Sequence, residues 1–551
     1  MTDLNKIEGN KIELKDLLTS DNFFLVPYYQ RPYSWDTDNF EDLINDLLNA
    51  DRSKQYFLGT IVLHKNSELK INEIVDGQQR LTTIMILLAT LRDLINDNDI
   101  KSGIQEKIIQ RENKVDGIPE KDRLEVKDRQ IFKELITEPD GTNIAKDVKR
   151  LPEPEFRYVQ AINTFKNKLS NLSQDELVRF VQFLSQNCVF IYLSTNSFDD
   201  AFRMFTIVND RGKQLRRIDI LKARTISPDL IHSPPVRNSI AQSWEQWEKT
   251  IGEEEFENVL YLIRFIFLEE KPYNDLLFEY EEKIFKTNKI QKGETFANCV
   301  FTYSTLYNSI FGDLSFFDEK ENGVLLKNFI NVLIKEFKSY EWKACLLQIA
   351  FKYPNENLIE VINKIELKYL EGILYGQSKD TRTSDFGKIM SAINNSKNYT
   401  DLLSSNSFNI DVNQMRQELS GNLYSKTYCK YILLRLEILQ SEHTIEQKFE
   451  AKSIEHILPQ TISSGSQWEK DFTSEQHSEW INKISNLVLL SKGKNSSAGN
   501  LDFEQKKEKY LKKKISQFPR SLEILSIPNW DLDTLQARQL ELLNVVLNKI
   551  E

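Results

Sequence analysis

The chain has 551 residues, of which 40% are hydrophobic, 28% charged, 18 glycine and 14 proline. At roughly 150 residues per domain this implies about three or four structural units, and the composition excludes collagen-like, low-complexity and wholly disordered classes. A net charge of −10 excludes a surface uniformly attractive to nucleic acid, while leaving room for a local basic face. Cys188, Cys299, Cys345 and Cys429 lie far apart and form no CxxC pair, so neither a disulfide framework nor a structural zinc ribbon is expected. The longest apolar run near the N-terminus, 82–95, contains Arg92 and Asp93 and falls short of the roughly 20 residues that cross a bilayer. With no basic-then-apolar leader in the first residues, a cytoplasmic protein without a membrane partner is expected.

In chain order, residues 56–63 and 71–75 read as two strands, followed by a turn at Asp76-Gly77. Residues 81–91 are apolar nearly all round, the pattern of a buried helix. Residues 97–154 are polar with few aromatics and read as an insertion of loops and short helices. A third strand is predicted at 188–193, then a helix over 201–209 that stops at Asp210-Arg211-Gly212. His232-Ser233-Pro234-Pro235 marks a boundary, so a first domain over 1–230 precedes an all-helical middle over 231–414. From 415 to 551 the order is helix, a strand at 454–458, a strand at 487–490, and a basic helix over 503–516. Between Lys483 and Arg520 stand ten Lys or Arg against three acids, a net +7 within an acidic chain.

Ile454-Glu455-His456-Ile457-Leu458-Pro459-Gln460 places a histidine directly after a carboxylate in a strand, and Asn486 and Asn495 follow within forty residues. These residues together resemble the ββα-metal fold of HNH, or His-Me finger, nucleases. The resemblance implies that His456 is the general base, that Glu455 and Asn495 hold a divalent cation, and that Asn486 orients the base. Phosphodiester hydrolysis suits those residue types, because histidine titrates near neutrality and a cation offsets charge on the phosphate oxygens. Oxygen donors favour Mg²⁺ or Mn²⁺. Lys506, Lys507, Lys509, Lys512, Lys513 and Lys514 then read as contacts to phosphates of double-stranded DNA. Either feature alone has a plainer explanation, a core histidine or a solvated helix face; His477 fits no pattern and reads as a surface histidine.

Three further strings are polar for their surroundings: Val26-Pro27-Tyr28-Tyr29-Gln30-Arg31-Pro32-Tyr33-Ser34-Trp35, Ile74-Val75-Asp76-Gly77-Gln78-Gln79-Arg80, and Phe205 to Leu215. A glycine followed by polar residues and Arg at the start of a buried helix offers backbone N–H groups and a cation to an anion. No Walker A sequence occurs. In this order the strings resemble the ParB/sulfiredoxin-like domain of the GmrSD family of type IV, modification-dependent restriction enzymes, whose plan is shared by SspE-type proteins that act alongside phosphorothioate DNA modification. The resemblance implies an α+β, mostly helical protein: an N-terminal ParB-like α/β domain, a helical middle, and a C-terminal HNH nuclease domain. It also implies a nucleoside triphosphate, GTP favoured and ATP or CTP as alternatives, bound by Asp76, Gly77, Gln78, Gln79 and Arg80 with Gln30, Arg31, Asn209 and Arg211. Tyr28, Tyr29, Tyr33 and Trp35 read equally well as an aromatic core corner or a stacking surface. Gly212 reads as a helix C-cap, with Arg211 still able to reach a phosphate.

The function expected is therefore anti-phage restriction by a nucleotide-regulated, metal-dependent DNA endonuclease acting on modified or invading DNA. Two rivals stand beside it: a sensor of modified DNA or nucleotide with a degenerate nuclease domain, and a nuclease acting on RNA or unmodified DNA as a suicide effector. A homo-oligomer is left open.

Overall fold

The sheet of the N-terminal part brings together strands from both sides of the expected insertion. In the computed structural model, residues 1–6, 20–21, 67–70, 145–150, 154, 198–199, 202, 206–215, 228–229, 452, 491–499, 510, 512–517 and 551 fall outside the description, which covers the rest. The chain divides into two units, one of Met1–Ser243 with Lys292–Glu294, the other of Trp244–Gln291 with Thr295–Glu551. About 60% of the protein is helical, with a mixed sheet in the N-terminal region, so the fold is a mostly helical α+β arrangement.

The six strands of the first unit's main sheet are β1 (Glu8–Glu13), β2 (Phe24–Leu25), β3 (Tyr56–Asn66), β4 (Ile71–Asp76), β5 (Leu124–Glu125) and β6 (Cys188–Thr195). They lie in the order β1-β6-β3-β4-β2-β5. β3 pairs parallel to β6 and antiparallel to β4. Helix α1 (Thr37–Asn49) begins at a capping box between Asp36 and Asn39. Helix α2 (Gln78–Leu94) is buried from Leu81 through Arg92, as an all-round apolar sequence requires. Helices α3 (Glu155–Leu169), α4 (Gln174–Asn187) and α5 (Arg217–Thr225) follow.

Residues 97–154 are not a polar appendage. Ile104, Ile108, Leu124, Phe132 and Leu135 join the same core as α2, and β5 extends the sheet. The Arg92 guanidinium fastens the segment by donating to Gln105 Oε1 at 2.6 Å and to the Ile136 carbonyl at 3.0 Å. Its apolar residues are few, but several of them are fully buried in that core, which a composition average conceals.

Between 231 and 452 the described residues form helices and no strand. Phe337 stacks on Tyr369 with ring centroids 3.9 Å apart. The fully buried Arg435 of helix α6 (Cys429–Gln440) pairs with Glu366 at 2.9 Å and donates to the Asn548 carbonyl. Beyond it, β7 (Ser453–His456) and β8 (Leu487–Leu490) form an antiparallel pair in which His456 faces Leu487 and Glu455 faces Val488. Helix α7 (Phe503–Lys509) packs Phe503 into a small core with Trp468, Trp530, Leu458 and Leu490. The order strand, strand, helix matches the sequence pattern; residues 510 and 512–516 of the expected longer helix lie outside the description.

Candidate functional site

The first candidate site lies where β4 turns into α2. Gly77 caps the helix with φ +93°, a left-handed conformation that suits glycine, and has no side chain of its own to cap the helix N–H groups. Asp76 and Arg80 flank this turn. Burial pushes the Asp76 carboxyl above its ordinary range against the pull of the Gly77 N–H and Arg80, and burial lowers the Arg80 guanidinium against the pull of Asp76. Arg80 lies against Gly59 of β3, where any Cβ would collide with its guanidinium.

The glutamines are engaged otherwise. Gln30 is buried and donates to the Ile74 and Val75 carbonyls at 3.2 and 2.7 Å. Gln78 donates to the Arg31 carbonyl at 2.9 Å. Gln79 accepts from the Ser34 and Trp35 N–H groups and donates to the Pro32 carbonyl. All three side chains thus latch the 30–35 loop to the end of β4 and the start of α2, satisfying main-chain groups that would otherwise be stranded. Arg31 is also taken: its Nε donates to Asp219 Oδ2 at 2.8 Å, and Asp219 is gripped from the other side by Arg216 at 3.1 Å. Asp219 was not marked by sequence, although its place three residues after Arg216 is the spacing at which helical side chains meet.

Tyr29 and Tyr33 are buried, and Tyr33 stacks on Tyr158 at 5.2 Å while its hydroxyl meets Thr83 at 2.7 Å. Those two are core. Tyr28, 36% exposed, keeps an accessible ring. A small cleft lined by Arg31, Pro32, Gln78, Gln79, Lys127 and Asp128 opens beside the latch. Asn209, Arg211 and Gly212 lie outside the described residues, as does most of the helix expected over 201–209.

The second candidate site forms at the end of β7. His456 is 3% exposed, its Nε2 lies 3.1 Å from Asn482 Oδ1, and the Tyr424 ring meets it edge-on at 4.1 Å. Neither Asn482 nor Tyr424 carries a sequence signal; they arrive from a turn and from a segment thirty-two residues upstream. Asn486 does not hold the imidazole. Its amide donates to the Leu458 and Ile481 carbonyls at 3.0 and 2.8 Å and accepts from the Leu458 N–H at 2.7 Å and the Trp530 indole at 3.3 Å. It is a buried clamp on the turn that follows His456. His477, expected at the surface, is partly buried and its Nε2 meets the Pro459 carbonyl at 2.8 Å, bracing the same turn.

Glu455 is buried, and its Oε1 lies 3.0 Å from the Lys506 ammonium. Lys506 also donates to the His456 and Ile457 carbonyls at 2.5 and 3.2 Å. Expected on a DNA-facing surface, Lys506 is instead fully buried, because it stands one turn after Phe503 on the face of α7 that packs inward. Lys507 is likewise buried and donates to the Ile527 carbonyl at 2.9 Å. Neither meets solvent as a phosphate contact must. Lys512, Lys513, Lys514 and Asn495 lie outside the described residues, and nothing is described of the Lys509 side chain. Glu455 offers the hard oxygen that Mg²⁺ or Mn²⁺ prefers, but a cation there would compete with the ammonium. Among the described residues no group of three or more His, Cys, Asp and Glu side chains is placed to hold a metal ion.

A model described as the N-terminal domain of the GmrSD restriction endonuclease matches residues 14–226, and one described as the C-terminal domain of GmrSD restriction endonucleases matches residues 405–545. Together they span more than half of the chain, and each contains one of the two candidate sites. The protein is a restriction-type nuclease. It belongs to the GmrSD restriction endonuclease family. No curated protein matches the chain. A restriction endonuclease acts on DNA, and no described helix is long and apolar enough to cross a membrane.

Proposed function

We propose that the chain is an HNH-type DNA endonuclease, dependent on a divalent cation and regulated by a nucleoside triphosphate, that restricts modified or invading phage DNA. The observation that carries this reading is His456 at the end of β7, its ring fixed on two sides and a carboxylate in the preceding position. In the reaction, the imidazole takes a proton from a water whose oxygen bonds to phosphorus as the P–O ester bond breaks. Glu455 and Asn495 would be the residues to hold Mg²⁺ or Mn²⁺, and such a cation would supply positive charge that offsets the charge on the phosphate oxygens. Asn486 and Lys506 serve the same site by fixing the backbone around His456.

The Asp76–Arg80 turn is the triphosphate site in this reading, with GTP the first nucleotide to test. The N–H groups at the start of α2 and Arg80 are its anion-binding elements, while Gln30, Gln78 and Gln79 shape the loop beside it. One observation favours the rival reading of a sensor with a weakened nuclease: the Lys506 ammonium already occupies Glu455. Incubating purified protein with modified and unmodified phage DNA, with Mg²⁺ or Mn²⁺ and with each triphosphate in turn, decides between them. Cleavage that requires the metal and changes with a nucleotide supports the endonuclease; DNA or nucleotide binding without cleavage under every condition supports the sensor.

A further inference from the structure

We propose that Asn482 is the positioning residue of the His456 base, setting which imidazole nitrogen carries the proton. This rests on His456 being the base of DNA hydrolysis. An amide oxygen can only accept, so the 3.1 Å contact from Nε2 to Asn482 Oδ1 places the hydrogen of the neutral ring on Nε2 and the lone pair on Nδ1. Asn482 is itself held. Its carbonyl accepts from the Leu423 and Tyr424 N–H groups at 2.8 and 3.3 Å, and Tyr424 packs its ring against the same imidazole at an interplanar angle of 60°. One residue therefore joins the 423–424 segment to the ring, and orientation and tautomer are fixed together.

Asn486, the residue the motif suggests for this role, has no capacity left for it. An amide side chain donates two hydrogen bonds and accepts two at its oxygen, and all four are made to the Leu458 and Ile481 main chain and the Trp530 indole. Asn486 is fully buried, whereas Asn482 sits in a partly exposed turn just after the helix Ser474–Trp480. The two positions consequently answer differently to substitution.

The test compares Asn482→Leu, Asn482→Ala and Asn482→Asp in the full-length protein, under the metal and nucleotide conditions in which wild type cuts DNA. Loss of an outer partner of a site histidine costs about 10–100-fold, so Asn482→Leu and Asn482→Ala should lose that much in kcat with KM for DNA and the melting temperature unchanged. Asn482→Asp retains an acceptor oxygen at the same place and should keep most of the rate. Asn486→Ala should instead lower the melting temperature. Wild-type kcat in both Asn482→Leu and Asn482→Ala, or an Asn482→Asp rate as low as theirs, would overturn the inference. His456→Ala is the separate control: if it cuts like wild type, the nuclease reading itself fails, whatever the Asn482 variants do.

Discussion

Glu437 shows how a single buried carboxyl can make this protein sensitive to pH. It sits in α6, accepts from the Arg520 and Ser521 N–H groups and from the Ser521 hydroxyl, and so caps the short helix Pro519–Leu522. Burial pushes its carboxyl up to about 7, outweighing the hydrogen bonds and the nearby Arg538. Below the ordinary glutamate range both folded and unfolded chains hold the proton, and the stabilisation is fully present. As pH rises toward 7 the unfolded chain has released it and the folded chain has not, so stability falls, by on the order of 3 kcal/mol across the window. Thermal unfolding between pH 4.5 and 7.5 should show that decline, and Glu437→Gln should flatten it. A profile as steep in the variant as in wild type would place the titrating group elsewhere.

Among the elements, α7 carries the clearest split between chemistry and charge. Lys506 and Lys507 serve the interior, so the proposed nuclease predicts that Lys512, Lys513 and Lys514 carry the salt-dependent contact to DNA. Replacing Lys512, Lys513 and Lys514 with Gln should weaken binding to all DNA sequences alike and flatten log affinity against log salt, by about 0.9 in slope per lost phosphate contact. Unchanged affinity and slope in a fluorescence-anisotropy titration would leave these lysines as a solvated face. The sequence made the long, strongly patterned elements legible: the two central strands, the all-apolar α2, the helical middle, and the strand pair bearing His456. Short or edge elements were not legible, because β2 and β5 have two residues each and β1 is polar along much of its length. Residue type also proved a better guide than residue role. Gln30, Gln78 and Gln79 do converge on one turn, yet their partners lie about 45 residues away, and no local pattern separates a glutamine that meets a ligand from one that latches a loop. The same holds for Lys506, whose direction is set by the packing of Phe503 and not by its charge.

On the scale of the whole molecule, the two family matches fall in different units, one holding the Asp76–Arg80 turn and the other the strand pair with His456, and the proposed regulation requires that a ligand of the first alter the second. That happens only if the nucleotide binds two arrangements of the protein unequally. Arg80→Ala removes the cation at the start of α2 and should reduce triphosphate hydrolysis several-fold or more, with restriction of phage in cells changing in parallel. Phosphate release and plaque counts on the same variant check this; lost hydrolysis with unaltered restriction would make the N-terminal unit a bystander to cleavage. The most direct measurement of the central claim is the cleavage rate of His456→Ala on phage DNA with Mg²⁺ or Mn²⁺, with folding and DNA binding followed in parallel. A drop of roughly 10²–10⁴ in rate with binding and melting temperature retained is the predicted result, whereas cleavage at the wild-type rate would contradict it.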